Sequence, residues 1–295
     1  MTGDPSVSAG LLTGSTAIVT GASSGIGRSA AAQLASLGAG LILVGRTPEK
    51  YRAVQADLDA RGATHRLVPA DLARLSSVVA AASVIAESAA PEGELLLINN
   101  AATAGRRGVT DDGFELAFGV NYFAHFLLTF LLLGAKLGIG RIINVTSNAH
   151  FSTTRLDPAL GRGKTRSVLG WREYSHSKAA MAAMSVELAE RYPEVTSVAV
   201  HPGVVATGLW RRLPQPFRAI ATRRMAPPDV GALPLVRAAT DRSLPSGCYL
   251  APEGMRDPSR AVQDRSGRRL LWDASTRWVE EILDPPAGGH GPLRG

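Results

Sequence analysis

A glycine-rich turn set between a strand pattern and a helix pattern constrains this chain more than any other feature. Residues 16–20, Thr-Ala-Ile-Val-Thr, are a short apolar run rich in β-branched side chains. Residues 25–37 place Ile26, Ala30, Leu34 and Leu37 at helical spacing and stop at Gly38. Between them runs Thr20-Gly21-Ala22-Ser23-Ser24-Gly25-Ile26-Gly27. Glycines there allow a tight turn and a close backbone approach to a pyrophosphate. The helix N-terminus adds free amides and a partial positive charge. Read alone, the stretch is equally an ordinary glycine-rich turn.

The same alternation continues to the C-terminus. Strand patterns recur at 41–44, 66–69, 95–99, 141–146 and 196–200, with a seventh around Tyr249-Leu250. Helix patterns fall at 48–60, 75–89, 113–137, 174–192 and 270–283; Thr47 and Pro48 suit an N-cap and first turn. Continuous apolar strands separated by helices predict an α/β fold, a doubly wound parallel sheet of about seven strands with helices on both faces. No repeat or interior linker breaks it, so residues 1–284 read as one domain. Residues 285–295, rich in Gly and Pro, read as a disordered tail.

Composition excludes several functions. Hydrophobic residues make up 45% of the 295, which suits a globular core. The net charge is +7, but its 28 arginines and 4 lysines are scattered without a basic block, so no nucleic-acid partner is expected. Cys248 is the sole cysteine, which rules out an internal disulfide and a Cys-rich metal site; no metal is expected. That cysteine usage, and residues 1–14 without the pattern of a signal peptide, point to the cytoplasm. Residues 116–133 carry no formal charge over 18 positions, a length that can cross a membrane. Asn121 and His125 lie inside it and strands flank it, so the expectation is a buried helix at a subunit interface and no integral membrane segment.

Tyr174-Ser175-His176-Ser177-Lys178 carries the chemistry. Four residues apart on a helix, Tyr174 and Lys178 share a face. A free tyrosine has a pKa of about 10, and a neighbouring ammonium is expected to lower it by about 1–3. Such a pair alone is an ordinary helical Tyr and Lys. In this order and separation from the glycine-rich turn, it resembles the short-chain dehydrogenase/reductase family over residues 13–283. Asn121-Tyr122-Phe123-Ala124-His125-Phe126 and the stretch from Asn144 to His150 are similar to its retinol-dehydrogenase-like and protochlorophyllide-reductase-like branch.

The resemblance implies a Rossmann fold and a nicotinamide cofactor. Its cofactor positions here are Gly21, Ser23, Ser24, Gly25, Ile26 and Gly27, then Asp71 and Leu72, then Asn99 and Ala101, then Pro202, Gly203, Val205 and Thr207, with Tyr174 and Lys178. Ala102 stands where many relatives have a further glycine. The second strand ends Leu43-Val44-Gly45-Arg46-Thr47 with no carboxylate to hold a ribose 2′-OH. A guanidinium at Arg46 can clamp a 2′-phosphate instead, which predicts NADP(H). The family tetrad falls on Asn121, Ser147, Tyr174 and Lys178. Tyr174 is the implied acid-base, Ser147 the holder of the substrate oxygen, Lys178 the tuner of the phenol, and Asn121 the support of a proton relay. Thr146 should face the opposite way from Ser147 on the strand. His201 is expected to be structural.

Two segments depart from the common pattern. Ser147 and Tyr174 stand 27 residues apart, so 149–171 reads as an insertion. Residues 208–225 mix Leu209, Trp210 and Phe217 with Arg211, Arg212 and Arg218, and suit a substrate lid, an amphipathic surface helix or a weak membrane-surface contact. The expected substrate is the carbonyl or alcohol of a bulky, largely apolar small molecule, and the expected assembly a homodimer or homotetramer. Two rival readings stay open. One is a non-redox enzyme of secondary metabolism on this scaffold, an isomerase, dehydratase or cyclase using Tyr174 as acid or base. The other is a nucleotide-sensing protein.

Overall fold

A computed structural model of the chain describes residues 10–88, 93–205 and 225–284. Eight strands form one sheet in the order β3-β2-β1-β4-β5-β6-β7-β8. They are β1 (Thr16–Thr20), β2 (Gly40–Gly45), β3 (His65–Pro69), β4 (Leu95–Asn99), β5 (Ile139–Val145), β6 (Thr196–Val200), β7 (Tyr249–Ala251) and β8 (Gly254–Arg256). The first seven run parallel, and β8 folds back antiparallel on β7. This hairpin is the strand beyond the expected seven; three residues with a glycine at the turn give no apolar run to read.

The helices are α1 (Gly25–Ser36), α2 (Arg52–Ala60), α3 (Leu75–Ser88), α4 (Leu116–Gly134), α5 (Trp171–Arg191), α6 (Pro228–Thr240), α7 (Arg260–Gln263) and α8 (Arg265–Leu283). A 3₁₀ turn, Pro48–Tyr51, precedes α2; Thr47 stands extended before it, but its side chain makes no capping bond. Strand side chains alternate between two covering layers, as the period of two requires. Ile18, Ile42 and Leu97 point to the α3, α4, α5 and α8 side. Val19, Leu43 and Ile98 point to α1, α2 and α6. Helix α6 carries Pro228 at its start and Pro234 inside it, which hid it from pattern reading.

The long apolar helix α4 is a core element, with 72% of its most apolar window buried. The expected intersubunit face of α4 and α5 is packed under α8 of the same chain. Trp278 meets the rings of Phe114 and Phe123 edge-on at 5.2 and 5.4 Å, and Trp272 meets Phe126 at 4.9 Å. Arg268 bridges Glu187 and Glu190 of α5 at 3.1 and 2.9 Å.

The insertion is not a free flap. Thr165 Oγ1 donates to the buried Glu115 at 2.6 Å, and Glu115 N donates to Gly161 O at 3.0 Å. The Arg162 guanidinium lies over the rings of both Phe114 (3.9 Å) and Trp278 (4.9 Å). These contacts bind residues 149–171 to α4 and α8. Thr207, most of the 208–225 segment and the 285–295 tail lie outside the described residues.

Candidate active site

Strand order reverses beside β1, between β2 and β4, and a cleft of about 290 Å³ opens at the carboxyl ends there. Gly21, Ser23, Gly45, Arg46, Asp71, Leu72 and Ala101 line it. Gly21 has φ +70°, and a Cβ there would lie 2.9 Å from Ala101 Cα. A Cβ at Gly27 would strike Asn100 Nδ2 and come within 2.7 Å of Gly21 O. Glycine is therefore required at both, to press the turn against the loop after β4. Gly25, at φ +56°, starts α1 behind an extended Ser24 whose side chain makes no cap bond. With no acid in its first turn, α1 offers its amides to an anion.

At the far end of the cleft, Arg46 is largely exposed and pairs with Asp71 at 3.9 Å. No carboxylate stands at 45–47. Lys50 lines the same wall and adds a second cation that sequence reading passed over. Tyr51 packs directly under Gly45 and donates to Val44 O at 3.0 Å, fixing the end of β2. Asp71 is shaped by its own loop, with Oδ1 accepting from Ala73 N at 3.1 Å. Arg46, Lys50 and Asp71 together line this end of the cleft.

Asn99 does not reach the cleft with its side chain. It is buried and donates to Thr129 Oγ1 (3.0 Å) and Asn144 Oδ1 (2.9 Å), ties within the sheet's interior. Ile26 packs towards Gly231 of α6. Pro202 and Gly203 (φ +87°) make the turn after β6, and Val205 bridges to Ala226. None of these five lines the cleft, and neither do Ser24, Gly25, Gly27, Asn121, Ser147, Tyr174 and Lys178.

The tetrad converges. Ser147 follows β5, and its hydroxyl acts on the Tyr174 phenol, favouring ionisation of the phenol. Thr146 points the other way, donating to Lys178 O at 2.7 Å. Lys178 is buried, with Nζ donating to Val145 O at 2.8 Å and 6.0 Å from the Tyr174 ring centre. Burial pushes the ammonium down to about 7. Burial also raises the Tyr174 phenol, and the Ser147 hydroxyl opposes this. The expected lowering by Lys178 is thus outweighed in the free protein, because a desolvated ammonium that is itself half discharged near neutrality exerts little pull.

Asn121 sits in a π-helical turn, Gly119–Phe123, within α4. Its side chain accepts from Thr103 N at 2.7 Å and donates to Thr103 O and Ser177 Oγ, both at 3.0 Å. It therefore ties the loop after β4 to α5. Its carbonyl accepts from His125 Nδ1 at 3.0 Å, while His125 Nε2 lies 2.9 Å from Thr20 Oγ1. Thr20 Oγ1 already accepts from Asn100 N and Ala101 N, and a carbonyl can only accept. The proton is thus on Nδ1, and Thr20 donates to Nε2. Burial holds His125 neutral, near a pKa of about 4. Thr20 and His125 link the glycine-rich turn to the tetrad, and only their place within recognised motifs could have singled them out.

Comparison with known proteins agrees with this geometry. A family model for short chain dehydrogenases matches residues 15–216. Retinol dehydrogenase 13 of Homo sapiens is 34% identical, over 99% of this chain and 92% of its own. Polyprenol dehydrogenase of Mus musculus is 35% identical, over 90% of this chain and 83% of its own. A solved structure from Beutenbergia cavernae with bound NADP (low occupancy) superposes with a TM-score of 0.65 at 29% identity, covering 82% of this chain and 96% of that one.

Proposed function

The chain belongs to the short-chain dehydrogenase/reductase family, in its retinol-dehydrogenase-like branch, and from that premise we propose an NADP(H)-dependent oxidoreductase acting on the carbonyl or alcohol of a bulky, apolar small molecule. The observation that carries the reaction is the meeting of Ser147, at the end of β5, with Tyr174 and Lys178 of α5. Arg46 and Lys50, on a wall without a carboxylate beyond Asp71, support NADP(H) over NAD(H). NADP bound to the Beutenbergia cavernae neighbour supports the same choice. Two relatives are named for retinol and polyprenol, both apolar alcohols, which supports the substrate class.

When bound, the nicotinamide supplies or takes the hydride. The chain's own residues manage the proton and the oxygen. In the reducing direction Tyr174 gives its proton to the carbonyl oxygen as that oxygen becomes an alkoxide, and Ser147 donates a hydrogen bond to the same atom. Lys178 then faces the phenolate, whose charge favours the protonated form of the lysine, so the ammonium stabilises Tyr174 once its proton has gone. Asn121 holds the loop of Thr103 against α5 and keeps Tyr174 and Lys178 in register with the cleft.

The test is consumption of NADPH against a panel of bulky ketones and aldehydes, with Tyr174→Phe as control. Turnover should fall at least ~10³-fold in the variant, within the range expected for loss of a general acid. NADPH binding by calorimetry should change little. Retained turnover, or activity without NADPH consumption, would remove the assignment.

A further inference from the structure

Val168, Leu169 and Trp171 are 82%, 67% and 51% exposed at the tip of the insertion, just before α5. Three large apolar side chains within four residues at this exposure are unusual on a surface that has to stay in water. The tip is also built rather than loose. The buried Glu173 carboxylate accepts from Arg166 N at 2.9 Å and Ser167 N at 3.0 Å, and from the Ser167 hydroxyl. Thr165 anchors the other side through Glu115.

Leu169 has φ +55° and ψ +13°, the left-handed region. That conformation favours Gly or Asn, and a leucine there is strained. An exposed, strained leucine adds nothing to the core. Backbone strain of this kind is retained where a function requires it.

The charge around the tip has one sign. Lys164, Arg166 and Arg172 are exposed beside it, and among the described residues none of the three makes an ion pair. The nearest carboxylate in sequence, Glu173 of α5, is turned inward, and Asp157 of the insertion is paired with Arg155 at 2.8 Å. The Trp171 ring lies 5.5 Å from the Tyr174 ring, so the tip adjoins the catalytic end.

We propose that this tip is a docking surface for an anionic lipid bilayer, with Val168, Leu169 and Trp171 entering the headgroup boundary and Lys164, Arg166 and Arg172 facing lipid phosphates. Apolar residues with an aromatic at the centre and cations at the rim match the two layers of such a surface. The placement beside Tyr174 would let an apolar substrate pass from lipid to the cleft without crossing water. The binding itself does not depend on the hydride-transfer reading.

The test is cosedimentation of the full chain with phosphatidylcholine vesicles, with and without phosphatidylserine. The wild type should bind the vesicles containing phosphatidylserine, and lose binding at ~1 M salt, where screening acts over about 3 Å. Val168→Ser with Leu169→Asn should weaken binding roughly 10- to 100-fold, from the apolar surface removed. Lys164→Gln with Arg166→Gln and Arg172→Gln should weaken it on the anionic vesicles alone. Leu169→Asn by itself should melt at the same or a higher temperature, which separates lost docking from lost folding. No binding to either vesicle overturns the proposal. So does binding that survives Val168→Ser with Leu169→Asn, which would be charge attraction only. A changed sedimentation coefficient in that variant, with vesicle binding intact, would make the tip a contact between copies of the chain and overturn it equally.

Discussion

Lys178→Met should make the nucleotide-free protein more stable while removing its activity. The lysine is fully buried, and its pKa drops from the usual 10.5 to about 7. The difference of about 3.5, at about 1.4 kcal/mol each, is a penalty of roughly 5 kcal/mol for holding the ammonium in the fold below pH 7. Methionine fills the space without a charge but leaves Val145 O without its donor, which costs about 1–3 kcal/mol. The net gain is roughly 2–4 kcal/mol, or about 3–6 °C in Tm for a chain of this length. The sign in pH follows from the lowered value. Between about pH 7 and 10.5 the unfolded chain binds the proton that the folded chain has released, so wild-type stability rises with pH relative to the variant. The advantage of Lys178→Met should therefore be full below pH 7 and shrink towards pH 10.5. Parallel urea titrations of both proteins across that window measure it. A constant stability difference across the window would show that Lys178 keeps its ordinary pKa, and the account of its burial would fall.

Other changes test the cleft and its supports. Arg46→Ala should weaken NADPH binding about 10- to 100-fold and leave NADH binding nearly unchanged, read by calorimetry with each nucleotide. Gly27→Ala places a methyl against Asn100 and Gly21 O, and should lower both Tm and nucleotide affinity, with a loss of stability of roughly 1–3 kcal/mol from overpacking. Arg162→Ala removes the cation over Phe114 and Trp278 together with its pairing to Glu281, and should cost about 1–2 kcal/mol in urea denaturation while sparing nucleotide affinity.

Local sequence determines much of this protein because the relevant forces act over short stretches. The β1 run, the turn from Gly21 to Gly27 and the spacing of Tyr174 and Lys178 each depend on backbone sterics or helix geometry within a few residues. Those patterns were enough to place the parallel sheet and the glycine-rich turn, and to put Tyr174 and Lys178 on one helix face; Asn121 and Ser147 came from the resemblance to the family. The sheet order, the eighth strand and helix α6 were beyond them, since β8 is only three residues long and Pro228 and Pro234 mask the helical signal.

What tertiary packing decided is mostly electrostatic and hidden. Adjacency of Lys178 to Tyr174 suggested a lowered phenol, but burial of both groups raises Tyr174 and discharges Lys178. Asn99 reads as a cofactor contact, yet its side chain is drawn into the sheet by Thr129 and Asn144. The apolar α4 suggested a face for a second subunit; in the fold Trp272 and Trp278 of α8, more than a hundred residues away in sequence, pack against its Phe126 and Phe123. Desolvation and long-range contact depend on which distant segments meet, and a residue's neighbours in sequence carry no record of that.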